Sequence, residues 1–212
     1  MRYIEKFLEL KCTPDILGVS YPLNNPTKEV TESMAIVQEL RKVFLKDKER
    51  KVVVFDLCAG NALTSVILAH LFPNVTCYAL DKAPRDRQWE NVKNFEYKTM
   101  DIHEKETIDY IDIVSKSADY SIIISVHPCK NLANRIVDIY KLSSVNHIAL
   151  MPCCKGKIDT DFPQVIKEKV SNYMLWCWDL SRSANAKLRM DKYIKSPCNG
   201  IISGSKSVEG IK

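Results

Sequence analysis

The stretch Lys51 to Lys82, KVVVFDLCAGNALTSVILAHLFPNVTCYALDK, constrains the fold of this chain more than any other. A short apolar, β-branched run, Val52-Val53-Val54-Phe55, ends at Asp56 and predicts a buried strand. A turn of small residues follows, Leu57-Cys58-Ala59-Gly60-Asn61-Ala62. Thr64 to Leu71 then places Val66, Ile67, Leu68 and Leu71 at helical spacing. Phe72-Pro73-Asn74 breaks that helix, and Val75 to Leu80 reads as a second strand closing at Asp81. A strand–helix–strand unit of about thirty residues needs a crossover, which leaves its two strands parallel. Asp81 stands where a nucleoside ribose would be bound. The tight turn lets backbone approach a ligand, and the helix after it presents unpaired N–H groups.

Downstream the alternation continues. Strands are expected over Phe95 to Met100, Asp119 to Val126 and Val145 to Leu150, with helices over about Lys105 to Ser115 and Leu132 to Leu142. Five such repeats predict an α/β fold: a doubly wound, mostly parallel sheet with helices on both faces. Upstream, residues 1–11 fit a short helix with Ile4, Phe7, Leu8 and Leu10 inward. Thr13 to Thr27 reads as a loop, punctuated by Pro14, Gly18, Pro22 and Pro26. Thr27 is placed to cap a helix from about Lys28 to Leu45. Phe162 to Leu180 reads as one long helix, and Ser181 to Lys195 is basic and compatible with a helix. Ile201 to Ser205 reads as a closing edge strand, with no sixth strand identified before it. The expected division is a helical lead-in over residues 1–48 and one domain over 49–212.

In an open α/β sheet, ligands bind beyond the carboxyl ends of the strands, near the switch in strand order. The chemically distinctive residues fall at those ends: Asp56, Asp81-Lys82, Asp101-Ile102, Ser125-Val126-His127-Pro128-Cys129-Lys130 and Pro152-Cys153-Cys154. With strands four and five adjoining strand one, three thiols, an imidazole and Lys130 are predicted to share one cleft.

The Asp56–Ala62 turn, followed by acidic strand ends at Asp81 and Asp101, resembles the cofactor site of class I S-adenosylmethionine-dependent methyltransferases. The turn departs from that family in keeping one glycine, Gly60, with Ala59 and Ala62 as small substitutes. It also lacks the G-x-G-x-x-G that seats a pyrophosphate, which favours a ligand without phosphate. The resemblance implies S-adenosyl-L-methionine as cofactor. Its binding residues would be Asp56, Cys58, Ala59, Gly60, Asn61, Ala62, Asp81, Lys82, Asp101, Ile102, Ser125 and His127, with Asp101 accepting from the adenine amino group. His127-Pro128-Cys129-Lys130 and Pro152-Cys153-Cys154 resemble a narrower subgroup, which includes the eukaryotic tRNA acceptor-stem 2′-O-methyltransferases and several methyltransferase-like proteins. That subgroup carries H-x-C-G after strand four and Cys-Cys after strand five; Lys130 stands here for the glycine. The likeness implies an RNA acceptor, with a tRNA ribose hydroxyl favoured. His127 or Lys130 would orient or deprotonate it, with Cys129, Cys153 and Cys154 at the catalytic end.

The same residues admit other readings. Pyrimidine C5-methyltransferases attack the base with a thiolate, and Cys129 or Cys153 in Pro-Cys could serve. No carboxylate lies beside either Pro-Cys in the sequence. His127, Cys129, Cys153 and Cys154 make a Cys₃His set, but adjacent cysteines are poor co-ligands for one tetrahedral ion, so no metal is expected. Packing under the cofactor remains an ordinary use of the three thiols. A domain that binds cofactor or a protein without turnover is the non-catalytic reading. Tyr173, Trp176 and Trp178 could stack a base, and Arg182, Lys187, Arg189, Lys192 and Lys195 could track phosphates.

Composition narrows the setting. A net charge of +5 is compatible with a nucleic-acid substrate without requiring one. No apolar run approaches the roughly 20 residues of a membrane span, and the N-terminal MRYIEKFLELK is too charged for a signal peptide. Eight cysteines without a secretory signal predict reduced thiols and a cytoplasmic protein. Oligomeric state is left open.

Overall fold

The computed structural model describes residues 2–206. Its centre is a seven-stranded sheet: β1 (Val52–Leu57), β2 (Val75–Asp81), β3 (Phe95–Thr99), β4 (Tyr120–Val126), β5 (His147–Met151), β6 (Lys187–Met190) and β7 (Gly200–Ser205), in the order β3-β2-β1-β4-β5-β7-β6. Pairings β1–β2, β1–β4, β2–β3 and β4–β5 are parallel; β7 runs antiparallel to β5 and β6. The order switches between β1 and β4, where the first crossovers leave in opposite directions and open a crevice. β5 is separated from β1 by β4 and does not adjoin it.

Alternate residues of each strand serve two cores. Val52, Val54, Ile122 and Ile124 pack under α1 (Arg2–Leu8), α2 (Thr13–Ser20), α3 (Pro26–Lys46) and α4 (Leu63–Leu71). Val53, Phe55, Leu57 and Ile123 face α5 (Lys105–Lys116), α6 (Asn131–Leu142) and α8 (Asn172–Ser183). Burial on both faces explains why β1 and β4 read as continuous apolar runs. Residues 1–48 supply α1, α2 and α3, which share one of the two helical layers with α4.

Several expectations are corrected. Residues 13–20 are helical: Pro14 sits in the first turn, where a missing N–H costs nothing. Burial of Ile16 (0 % exposed) stabilises by about 2 kcal/mol, more than the roughly 1 kcal/mol that Gly18 costs a helix. In α1, Tyr3 and Phe7 are buried, while Leu8 is 64 % exposed. The cap of α3 is Asn25, not Thr27: Asn25 Oδ1 accepts from the Lys28 N–H at 3.2 Å, with Pro26 beginning the helix. The long helix expected over 162–180 is two, α7 (Gln164–Lys169) and α8, because Val170 is extended and the Ser171 side chain caps a new start by accepting from the Met174 N–H. Residues 187–190 are a strand that pairs outside β7, so the closing antiparallel pair is complete and β7, expected at the edge, lies inside the sheet with β6 as the edge. Lys187-Leu188-Arg189-Met190 alternates charged and apolar residues, as a one-sided edge strand does; its basic character hid that period.

Candidate active site

Parallel register brings the strand ends level. Leu57 pairs with Leu80, Asp56 with Ile124, and Val126 with Met151, so the turns after β1, β2, β4 and β5 emerge side by side. Ser125 Oγ donates to the Leu57 carbonyl at 2.6 Å, and the His127 N–H donates to the Met151 carbonyl at 2.9 Å, stitching these ends together.

Two cavities open there. The larger, about 610 Å³, is walled by Cys58–Asn61, by His127 after β4, by Cys153 and Cys154 after β5, and by Lys28 and Glu32 on α3. The smaller, about 130 Å³, lies between Asp81-Lys82 and Met100–His103, closed by Leu132, and shares Cys58 with the first.

The backbone bends sharply at this end of the sheet. Cys58, Gly60 and Ala62 in the β1 turn, and His127 and Lys130 in the β4 turn, have left-handed φ between 50° and 64°. Non-glycine residues held this way cost about 1–3 kcal/mol each and tend to gather at ligand sites. A Cβ built on Gly60 meets nothing within 4 Å, so the position faces open space. Asp81 braces the turn: one carboxylate oxygen accepts from the Gly60 N–H and the other from the Ala83 N–H, both at 2.9 Å. Asn61 is held between Glu29 and Arg87, and Arg87 also donates to the Tyr21 and Pro22 carbonyls, anchoring the lead-in over the cavity edge. Asp101 lines the smaller slot and accepts from the His103 N–H at 2.9 Å. Apolar walls from Leu80, Met100, Ile102 and Leu132, flanked by the carboxylates of Asp81 and Asp101, suit a flat nucleoside with hydrogen-bond donors.

Three candidate cofactor residues do not line the cavities: Ala62, buried at the cap of α4, and the pair Asp56 and Ser125. Asp56 is 3 % exposed and its carboxylate is taken by Ser65 Oγ at 2.5 Å; burial, opposed by that bond, pushes its pKa up to about 7. Ser125 is fully buried and spent on Leu57. Both join strand to helix or strand to strand and do not line either cavity. Lys130 is exposed at the start of α6 and lies outside the cavity walls.

On the other side of the larger cavity, His127 Nε2 approaches Glu32 Oε2 to 2.6 Å. The separation is that of an ion pair, yet no ring nitrogen and neither carboxylate oxygen has a partner in hydrogen-bonding alignment. Glu32 is completely buried. Sequence reasoning missed it. The signal was a carboxylate in the helix row Glu32–Ile36–Leu40, whose other members are apolar.

The sulfurs of Cys129, Cys153 and Cys154 lie within 4.8 Å of one another. Burial first, then the neighbouring Cys129 and Cys154 thiols, pushes the Cys153 pKa upward, and burial with Asp81 pushes Cys58 up to about 12. Cys198, also missed, lines the larger cavity and donates its thiol to the Cys153 carbonyl at 2.7 Å. Among the proposed stacking residues, Trp176 is fully buried and Tyr173 Oη is engaged with the Pro152 carbonyl and the Gly200 N–H; Trp178 is half-exposed against Phe162. Arg189 of the basic cluster is paired with Glu39 and Asp191. No helix among the described residues is long and apolar enough to cross a membrane.

Comparison with known proteins places this geometry. No curated protein matches the sequence. The fold is similar to that of an S-adenosylmethionine-dependent methyltransferase from Aquifex aeolicus (14 % identity, 87 % of this chain and 95 % of that one, TM-score 0.51). It is also similar to magnesium protoporphyrin IX methyltransferase from Synechocystis PCC 6803 with its bound S-adenosylmethionine (12 %, 96 % and 95 %, 0.50). A chain of a fibrillarin/Nop5p complex is similar too (14 %, 79 % and 79 %, 0.50). The family profile described as "Methyltransferase domain" matches residues 26–161, from the start of α3 through the turn after β5. The chain belongs to that family, as a class I S-adenosylmethionine-dependent methyltransferase.

Proposed function

We propose that this enzyme methylates an RNA hydroxyl, with the ribose 2′-oxygen of a tRNA as the favoured acceptor, in a cytoplasmic, reducing setting. S-adenosylmethionine, when bound, supplies an electrophilic methyl group on sulfur. Asp81 and Asp101 would hold its nucleoside in the smaller slot, and the Cys58–Asn61 turn would carry its remainder into the larger cavity, where the acceptor enters. The observation that carries the reading is the Glu32–His127 pair at that cavity. A hydroxyl must lose its proton as the methyl arrives. His127 Nε2 is turned to Glu32, and Nδ1, also shielded from solvent, has no partner; on this reading Nδ1 takes that proton once an acceptor is seated against the ring, and the buried carboxylate stabilises the imidazolium that results. An acceptor that ionises unaided would not need such a pair. Lys28 in the cavity wall, and exposed Lys130 and Lys155 on the flanking turns, offer positive charge to a phosphate backbone.

The pyrimidine C5 reading is weaker. Glu32, the carboxylate beside the β4 turn, is fully buried against His127 and has no surface to offer the base's edge. Burial first, and then the two neighbouring thiols, pushes the Cys153 pKa up, which is the opposite of what an attacking thiolate needs.

The test is incubation with radiolabelled S-adenosylmethionine and total tRNA, followed by complete nuclease digestion and nucleoside chromatography. Label in 2′-O-methylnucleosides supports the reading. Label in a methylated base, or a covalent complex with 5-fluoropyrimidine RNA through Cys129 or Cys153, overturns it.

A further inference from the structure

The three cysteines beside the cavity have no part in the hydroxyl chemistry above, and their arrangement is specific. Cys129 comes from the β4 turn, Cys153 and Cys154 from the β5 turn. The three sulfur separations are 3.0 Å (Cys129–Cys153), 3.5 Å (Cys153–Cys154) and 3.7 Å (Cys129–Cys154). A tetrahedral ion about 2.3 Å from each sulfur sets them roughly 3.8 Å apart. Sequence adjacency had argued against Cys153 and Cys154 as co-ligands; the chain nonetheless turns both sulfurs toward Cys129.

The surroundings hold them there. The His127 carbonyl accepts from both the Cys129 and the Cys153 thiols, at 3.6 and 3.5 Å. His127 and Lys130 take left-handed backbone on either side of Cys129. A Cβ added to Gly156 would stand 2.6 Å from the Trp176 ring and 3.3 Å from the Lys130 carbonyl carbon, so the two turns are packed together with no slack. Lys130 and Lys155, next in sequence to Cys129 and Cys154, are exposed basic residues on the same two turns.

We propose that Cys129, Cys153 and Cys154 form a three-thiolate site for one soft or borderline divalent cation of the zinc class, tying the β4 turn to the β5 turn. On binding, each of the three thiols gives its proton to solvent. The ion with three thiolates carries one net negative charge, on turns that also bear Lys130 and Lys155. Its fourth position is open to water or an incoming ligand; Cys198 lies outside the sulfur triangle. The ion is a positioning device: by fixing the turn that bears His127, it holds the imidazole against Glu32. Metal binding itself does not depend on which acceptor the enzyme methylates.

The full chain, purified reduced and metal-free, is titrated with zinc against a chromophoric chelator and then with cobalt. One zinc per chain is expected, with a near-ultraviolet sulfur-to-cobalt charge-transfer band. Bound zinc should protect Cys129, Cys153 and Cys154 from iodoacetamide in the wild-type protein, a readout that needs no variant. Cys129→Ser and Cys154→Ser, at two exposed positions, should each weaken binding by more than the roughly hundredfold that losing an outer partner costs. Cys12→Ser, at a distant thiol, should leave it unchanged. The proposal is overturned if wild-type protein retains no zinc and shows no charge-transfer band. It is equally overturned if zinc leaves all three thiols reactive, or if the reduced protein re-forms a Cys129–Cys153 disulfide in preference to binding metal.

Discussion

His127 Nε2 lies 2.6 Å from Glu32 Oε2, linking the residue just past β4 to the second turn of α3 across the wall of the larger cavity. Glu32 is fully buried and the His127 side chain about a quarter exposed, so the carboxylate is sheltered while the ring meets the cavity. A carboxylate without another partner in such a place is costly.

Glu32→Gln keeps the shape and removes the charge. Single-turnover methyl transfer should fall by about 10²–10⁴, while calorimetric affinity for S-adenosylmethionine stays within a few-fold. An unchanged rate would make the pair a packing feature.

His127→Ala leaves the Glu32 carboxylate buried with nothing facing it. Removing one partner of a buried pair costs about 3–5 kcal/mol, so urea unfolding should shift strongly. The double variant His127→Ala/Glu32→Gln should recover most of that loss without recovering activity.

Asp81 both braces the Gly60 turn and lines the smaller cavity, proposed above to hold the nucleoside. Asp81→Asn can keep one of its two backbone acceptor bonds and loses the charge. Titration calorimetry should show S-adenosylmethionine and S-adenosylhomocysteine weakened by at least tenfold, about 1.4 kcal/mol. Equal binding by wild type and variant would move the nucleoside elsewhere.

Gly156→Ala drives a methyl into the fully buried Trp176 ring. Overpacking of this kind costs about 1–3 kcal/mol, which for a chain of this size lowers the melting temperature by roughly 2–4 °C per kcal/mol. Trp176→Phe in the same protein should relieve part of the clash; strictly additive losses would contradict the contact.

His147 is buried on β5 between the Ser203 and Ser205 hydroxyls. Burial lowers its pKa from 6.5 to about 4, against an opposing pull from Glu39. The unfolded chain therefore takes up a proton below pH 6.5 that the folded chain refuses until about pH 4. This contribution to stability is full above pH 6.5 and is lost as pH falls toward 4, by up to about 3 kcal/mol at roughly 1.4 kcal/mol per unit. His147→Gln should flatten the slope of unfolding free energy across that window.

Much of this enzyme is legible along the chain. The β-branched run to Asp56, the small-residue turn, and acids at Asp81 and Asp101 recur at the period of a parallel α/β sheet, and local pattern suffices to place them. Residues 13–20 and 187–190 were harder, since Pro14, Gly18 and a run of basic residues speak against the elements that tertiary burial and edge pairing then impose. Family membership follows from the pattern within residues 26–161.

The order of elements, the end of the sheet where ligands gather, and the thiols and imidazole found there can all be read along the chain. Which of those side chains face a cavity depends on how the elements pack in three dimensions. That packing buries Asp56 and Ser125 in bonds between elements, leaves Lys130 at the rim, and brings Glu32, 95 positions before His127 in sequence, against its ring. It also turns two adjacent cysteines toward a third. The reason is physical: periodicity reports which face of an element is apolar, whereas contact between side chains on α3, β4 and β5 depends on sheet register and helix crossing, which no local window contains.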